Sequence, residues 1–437
     1  MVHAMTNVSS DSCSEAGPRR RVALLGFGTV GRSVARILSE QPPPGVELTC
    51  IFNRDVARKR VDWVPASVRW TDDIDEVLAS PADIVVELMG GTEPAGVWVE
   101  RALDAGKSVV TANKQLIAHR GPALLRRARE HRCQLRFEGS VGGGIPIIAA
   151  LRDGLAGDRI SRVLGILNGT CNYILTSMAD AGVAFSQALR TAQELGYAEA
   201  DPADDVEGFD ARAKLAILCT AALRADVRPE QIATRPITSI DAVDFDHARQ
   251  LGCTIRQVSH AEWDGQGCLH AAVRPALVSR ESALARVAGS QNIVVLRGDY
   301  GGETVLSGSG AGGGPTSVAV VSDISAIARQ GPEGEQDLSL RAPAQVSGQF
   351  VTPHYLRFVV RDRPGIIARI AGVMEQHDIN IDAVLQLPYP TKEALPFVVT
   401  VEACPPSVVA DAVRQIGAFD FHVQAPVDLP VLNGTHL

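Results

Sequence analysis

Short apolar runs separated by helical periodicity dominate the first third of the chain. The runs at 21–27, 46–52, 83–88, 108–112 and 134–137 are rich in Val, Ile and Leu and are bounded by turn residues, so they predict buried strands. Between them apolar residues recur at helical spacing, as in VGRSVARIL at 30–38 and again across 94–105. Strand and helix in alternation predict a parallel, doubly wound sheet. From about 145 the alternation stops. Helix 146–156, strand 160–167 and a helix through 178 lead into an acidic stretch and a helix to 223. Strands near 234–240, 251–263, 267–278, 292–300 and 303–308 come next, several separated only by short turns such as DGQG at 264–267. That pattern predicts an antiparallel or mixed sheet with helices on one face. A late apolar helix, started by Pro315-Thr316 and running to 330, is placed to return to the first unit. Residues 331–352 are polar, with Pro and Gly, and read as a linker. The remainder reads strand 355–361, helix 365–377, strands 379–387 and 395–402, helix 405–417 and strand 419–425, a ferredoxin-like βαββαβ order.

Composition narrows the class. At 437 residues the chain has room for two to three domains, and 46% hydrophobic with 21% charged residues is the balance of a soluble globular protein. A net charge of −8 argues against nucleic acid as a partner. No apolar run approaches the roughly 18 residues a membrane helix needs. Residues 1–20 are polar and Ser-rich without an apolar core, and read as a disordered tail rather than a signal peptide. The eight cysteines form no CxxC pair, which suits reduced thiols in a cytoplasm.

Chemistry enters with the first strand. It runs into GFGTVG, Gly26 to Gly31, with a helix starting at once. In that setting Gly26 allows the turn, Gly28 lets backbone approach a pyrophosphate, and Gly31 lets helix pack on strand. Phe27, Thr29 and Val30 complete the loop; the bland reading is an ordinary tight turn. The second strand ends in Asn53-Arg54-Asp55, followed by Arg58, Lys59 and Arg60. Arg54, with Lys59 in support, suits a 2′-phosphate and so NADP; Asp55 is the alternative, binding the ribose of NAD. Gly90, Gly91, Thr92 and Lys114 fall at the carboxyl ends of later strands, where such sheets bind ligands. EGSVGGGIP at 138–146 combines a carboxylate with free carbonyls, which is either hard-oxygen cation chemistry or a hinge. The stretch at 196–214, GYAEADPADDVEGFDARAK, carries six acids and then one lysine. Its bland reading is a solvated acidic turn with an i,i+4 Asp–Lys pair. Its functional reading is a site that holds an ammonium group and keeps Lys214 beside a reacting oxygen.

These motifs resemble homoserine dehydrogenase of the bacterial form with a C-terminal ACT domain. The resemblance covers nearly the whole chain from Arg21, and rests on GFGTVG, ELMGGTEPA at 87–95, TANK at 111–114, EGSVGGGIPI at 138–147, GILNGTCNYI at 165–174 and the acidic stretch. It implies an α/β fold: a Rossmann-type domain at 21–144 completed by helix 316–330, an α+β catalytic and dimerisation domain at 145–315, and an ACT domain at 353–437. The implied reaction interconverts L-aspartate 4-semialdehyde and L-homoserine with NADP or NAD. By motif, Lys114, Lys214 and Asp210 fall at the catalytic positions. Glu199, Asp205, Tyr197, Gly169 and Thr170 match the substrate pocket, and Gly310 of the late glycine run joins the nucleotide site. Glu138 with the carbonyls of Val141, Gly143 and Ile145 matches a site for Na⁺ or K⁺. For proton transfer a lysine must lose its charge part of the time, so desolvation or the second lysine is expected to lower its pKa, with Asp210 opposing. Threonine is the expected effector of the ACT domain, whose alternative role is passive dimerisation, and the expected assembly is a homodimer or homotetramer. Two other readings stand beside this one. The first is an acyl-phosphate-reducing semialdehyde dehydrogenase using Cys171 as nucleophile. The second is a non-catalytic sensor of NADP or amino acids.

Overall fold

The computed structural model describes residues 19–331, 339–343 and 345–432. The expected tail therefore lies outside the described residues up to position 18, as do 332–338 and 344 of the expected linker and the last five positions of the chain.

The first sheet has six parallel strands in the order Arg69–Thr71, Val46–Phe52, Arg20–Leu25, Ile84–Glu87, Ser108–Thr111, Leu135–Arg136. The order reverses between Arg20–Leu25 and Ile84–Glu87, which opens a crevice at their carboxyl ends. Side-chain alternation assigns the two faces. Val22 and Leu24 point to one cluster with Val34 and Leu38, while Ala23 and Leu25 join Val99, Leu103 and Leu116 in another. The helix Gly313–Gln330 closes the first face: Val320, Ile324 and Ile327 pack in the cluster of Val22 and Leu24. It thus returns to the first sheet from almost two hundred residues downstream, starting slightly earlier than Pro315-Thr316 implied. The strand Arg69–Thr71 and the helix Ile74–Ala79 were not anticipated. The strand has only three residues, too short for any alternation to register.

The second sheet has eleven strands. Its path runs Gly302–Ser309, Gln291–Gly298, Ile160–Ile166, Cys253–Trp263, Cys268–Ser279, and continues into the C-terminal unit as His422–Leu432, Thr352–Val360, Leu395–Cys404, Ile381–Leu385. The bridge between the two parts is a short parallel pairing, Leu277 with Val431 and Val278 with Leu432. The last four strands have the ferredoxin-like order with two helices, Ile366–Gln376 and Pro406–Gly417.

Three sequence expectations are corrected here. The strand near 234–240 is only Ala233–Thr234, and a helix, Ala242–Gln250, follows it. Asp241 and Asp244 form a capping box at its start, a signal hidden in an acidic stretch. Helix 146–156 is a single α turn, Ile147–Ala149, running into a π segment, Ala150–Gly154. The expected linker is stitched to the second sheet: Gln345–Ser347 pairs with Cys268–His270, and Arg341 bridges to Ala225.

One close approach holds the first helix on its strand. A Cβ on Gly31 would lie 2.3 Å from the Gly26 carbonyl oxygen, with no flexible side chain to yield. Gly31→Ala should therefore cost about 1–3 kcal/mol of stability, measured by urea unfolding; an unchanged midpoint would show that the helix can slide on the strand.

Candidate active site

Loops at the carboxyl ends of the parallel strands line the crevice. Gly26 takes φ +101°, and a Cβ there would sit 2.8 Å from the Leu88 carbonyl oxygen. Nothing lies within 4 Å of a Cβ on Gly28, so its surface is open to a ligand. The helix Thr29–Glu40 starts at Gly28 with no side-chain cap, which leaves first-turn N–H groups to meet an anion. Phe27 is buried against Trp70, ring centroids 4.8 Å apart, so its ring belongs to the core and only its backbone is available to a nucleotide. Val30 is half-buried behind it.

Arg54 and Lys59 line a cavity of about 320 Å³ together with Gly26, Gly28 and Gly90. The rival acid is occupied: Asp55 caps the short helix Val56–Lys59, accepting the Arg58 amide at 3.2 Å. Gly90 and Gly91 both take positive φ, and Thr92 is exposed beside them. What shapes this turn is a residue that sequence reasoning missed. Glu87, fully buried, accepts the amides of Met89 at 2.8 Å and Gly90 at 3.3 Å and the Thr111 hydroxyl at 2.6 Å. Asn113 adds a bond to the Gly91 carbonyl at 2.6 Å. An acid ending a buried apolar strand was the available signal.

The two lysines meet. Lys114 opens the helix Lys114–Glu130 behind its cap Asn113, and Lys214 lies one turn beyond Asp210 in Phe209–Ala221. Asp210, 4% exposed, sits between them. Lys114 Nζ donates to its Oδ1, and Lys214 Nζ donates to its Oδ2 at 2.7 Å and to the Leu167 carbonyl at 2.8 Å. Burial works to raise the Asp210 pKa, but the two ammonium groups overcome it and hold the carboxyl far below the usual range. Burial works to lower Lys114, and so does the N-terminal end of its helix. Asp210 outweighs both, and the Lys114 pKa is raised. The expectation of a lowered lysine is not met at this position, because the shared carboxylate dominates the second cation.

Asn168, also missed, ties the acids together. Its Nδ2 donates to Asp205 Oδ1 at 2.6 Å and to Asp210 Oδ2 at 2.9 Å, while its Oδ1 caps the helix Gly169–Ala181 on the Cys171 amide. An Asn just before a helical pattern was its only mark. Burial raises the Asp205 pKa against the Asn168 bond. A Cβ on Gly169 would lie 2.7 Å from the Ser290 carbonyl oxygen, so the chain passes close there. The Thr170 hydroxyl donates to the Tyr197 carbonyl at 2.7 Å, and the exposed Tyr197 ring lies 4.7 Å from that of Tyr173. Glu199 stands apart from this cluster: it is exposed, and its carbonyl accepts Gln193 Nε2 at 3.1 Å.

Beside the site, Glu138 is buried and caps the turn at Ile147–Ala149, its oxygens accepting Ile148 N at 2.9 Å and Ala149 N at 2.7 Å. Burial raises its pKa despite those bonds. Gly143 takes φ +58°, and a Cβ there would sit 2.5 Å from the Gly310 carbonyl carbon, so the loop 141–145 is pressed against the late glycine run. The Ile145 carbonyl accepts the Ile147 amide at 2.8 Å; Val141 is buried. Gly310 is itself buried, against Asn292. Cys171 is fully buried and donates to the Asp205 carbonyl, and burial pushes its thiol far up, which removes it as a nucleophile.

A dinucleotide crevice facing two lysines on one carboxylate defines a nicotinamide-nucleotide oxidoreductase. Family profiles agree: residues 26–138 match the homoserine dehydrogenase NAD-binding domain, 146–325 the homoserine dehydrogenase catalytic domain and 354–420 the ACT domain. Homoserine dehydrogenase of Bacillus subtilis is 35% identical over 399 residues, covering 87% of this chain and 90% of its own. The crystal structure of a homoserine dehydrogenase from Thiobacillus denitrificans superposes with a TM-score of 0.87 at 34% identity, covering 95% of this chain and 99% of that one. A hyperthermophilic archaeal homoserine dehydrogenase in complex with NADPH superposes at 0.60 with 30% identity, covering 71% of this chain and 98% of that one. The chain belongs to the homoserine dehydrogenase family, in its form with a C-terminal ACT domain, and is an NAD(P)-dependent oxidoreductase. The acyl-phosphate and sensor readings fall away. Among the described residues no helix is long and apolar enough to cross a membrane.

Because a Cβ at position 28 meets no protein atom within 4 Å, Gly28→Ala should leave the melting temperature nearly unchanged while weakening nucleotide binding about tenfold or more. Calorimetric titration with NADP checks this; undiminished affinity would remove the loop from the pyrophosphate site.

Proposed function

We propose that this enzyme interconverts L-homoserine and L-aspartate 4-semialdehyde, with NADP as the preferred nucleotide. The observation that carries the reading is the convergence of Lys114 and Lys214 on buried Asp210 at the mouth of the crevice. When bound, the nicotinamide supplies the hydride acceptor, or in reverse the donor. The chain's own residues do the rest. Asp205 and Asp210 supply carboxylates for the substrate ammonium, with Tyr197, Gly169 and Thr170 forming the wall; Glu199, which stands apart, would join them only as substrate draws its loop inward. A substrate hydroxyl inserted beside the lysines takes up the place Asp210 holds on Lys114. With the Asp210 bond gone, burial and the helix N-terminus are opposed only by the more distant Asp205 and Asp204, so the amine can accept the hydroxyl proton and return it in reduction. Lys214, with two acceptors already, orients the oxygen.

Arg54 and Lys59 support NADP, since the competing Asp55 is engaged as a cap. The backbone of Gly26 to Gly31 and of Gly90 to Thr92 would hold the phosphates, with Gly310 behind the loop. Glu138 and the carbonyls of Val141, Gly143 and Ile145 form an all-oxygen set that suits Na⁺ or K⁺. A cation there would offset the uncompensated burial of Glu138 and clamp the hinge between the two units. The ACT domain supports feedback by threonine and assembly as a homodimer or homotetramer. The seven cysteines among the described residues are unpaired, which suits a reducing cytoplasm.

Homoserine oxidation followed by nucleotide absorbance, with NADP and NAD, with and without K⁺ and threonine, tests these assignments; no turnover with either nucleotide would end the reading. Lys114→Ala and Lys214→Ala should each lower kcat by on the order of 10²–10⁴, with NADP affinity little changed. Asp210→Asn removes the group that raises Lys114. The pH at which oxidation becomes fast should then move to lower values, and a shift the other way would exclude Lys114 as the base. Arg54→Ala should raise the KM for NADP about tenfold and leave that for NAD unchanged; equal effects on both would reassign the basic pair to solvent.

A further inference from the structure

The C-terminal domain grips the floor of the acidic loop. Arg357, on the strand Thr352–Val360, is 4% exposed, and its guanidinium donates to the Ser239 carbonyl at 3.0 Å and lies 3.3 Å from Asp244 and 3.6 Å from Asp241. The Tyr355 hydroxyl donates to the same Asp244 at 2.7 Å. At the other end of this segment Arg235 donates to Asp428 at 2.9 Å, and Asp428 is hydrogen-bonded to buried His354 at 2.6 Å. The segment from Arg235 to Ser239 is therefore held at both ends by groups of the C-terminal domain.

Its other side touches the site. The Ile237 amide donates to the Val206 carbonyl at 3.0 Å. Gly208, at φ +85°, comes so close that a Cβ would lie 2.9 Å from Thr234 Cγ2. Val206, Ile237, Tyr355 and Val427 belong to one buried apolar cluster, so packing runs alongside the hydrogen bonds. Val206 directly follows Asp205, which Asn168 ties to Asp210. The route from the ACT sheet to the catalytic carboxylate thus consists of direct contacts at every step, and it reaches the acidic loop rather than the glycine loops of the nucleotide crevice.

We propose that Arg357 and Arg235 are positioning residues for the amino-acid half of the site, holding the acidic loop in place from the C-terminal domain through Arg235–Ser239. This rests on the reading of the acidic loop as the substrate's ammonium site. Removing either arginine frees the Ile237–Val206 contact and loosens Asp205, while leaving the first sheet untouched.

The test uses the full chain, because the shared cluster would be exposed by truncation. Arg235→Gln is the primary variant, since that side chain is 45% exposed and its loss leaves Asp428 still bonded to His354. Arg357→Met combined with Asp244→Asn removes the buried tether without stranding a charge. Each should raise the KM for homoserine on the order of fivefold, with the KM for NADP unchanged, and should speed hydrogen exchange at 203–208 but not at 26–31. An unaltered KM for homoserine with unaltered exchange in Arg235→Gln overturns the proposal, as does an equal rise in both KM values, which would mean general loosening. Absence of homoserine oxidation in the parent enzyme would instead strike the assigned reaction, and the exchange measurement still decides whether the loop is held from the ACT domain.

Discussion

A single buried carboxylate shared by two ammonium groups is the constraint on which the site depends. Asp210 is almost wholly removed from water, and a lone charge there would be strongly destabilising. Lys214 reaches it from the next turn of the same helix, but Lys114 comes from the other sheet, at the start of a helix whose dipole disfavours a cation. Breaking the Lys214 arm, with both partners largely buried, costs about 3–5 kcal/mol, and the Lys114 arm, on a more exposed and better screened side chain, costs less. The arrangement therefore holds the dinucleotide-binding unit against the acidic unit and sets the charge state of the amines in the same contact.

Three glycine-rich runs make the approach possible. Gly31 admits the first helix to its strand, Gly143 lets the loop beside Glu138 lie on Gly310, and Gly169 lets the chain pass under Ser290. None of these contacts would tolerate a Cβ without moving backbone. Between them they leave Gly28 as the place where the protein stops short and a ligand can begin. The C-terminal domain is bound just as closely to the acidic unit. It extends the second sheet, shares its core and contacts the segment beneath the acidic loop, so the two pack as one body.

Much of this was legible along the chain. Apolar runs marked the parallel strands, GFGTVG marked the glycine turn between the first strand and its helix, and the acids before Lys214 marked the stretch whose Asp210 meets both lysines. The βαββαβ order of the last domain also followed from periodicity and turn residues. Elements without a pattern were missed: a three-residue strand at Arg69–Thr71 shows no alternation, and the helix Ala242–Gln250 hides its cap among other acids. Glu87, Asn113 and Asn168 were missed for a related reason. Each has a partner distant in sequence, Thr111 for Glu87, the Gly91 carbonyl for Asn113 and the acids Asp205 and Asp210 for Asn168, and the local marks of a strand end or a helix cap do not name those partners.

The sequence by itself determined which chemical groups are present and which local elements carry them, because strand, turn and helix signals are set by residues a few positions apart. Only the tertiary structure decided how those groups act on one another. One of the two lysines was expected to have a lowered pKa, and that of Lys114 is raised, because its charge depends on a carboxylate 96 positions away rather than on its own helix. Asp55, read along the chain as a candidate for the ribose, also caps the short helix that follows it. Coulomb and desolvation effects fall off with distance in space, not along the chain, so composition can name the participants while the fold alone sets their balance.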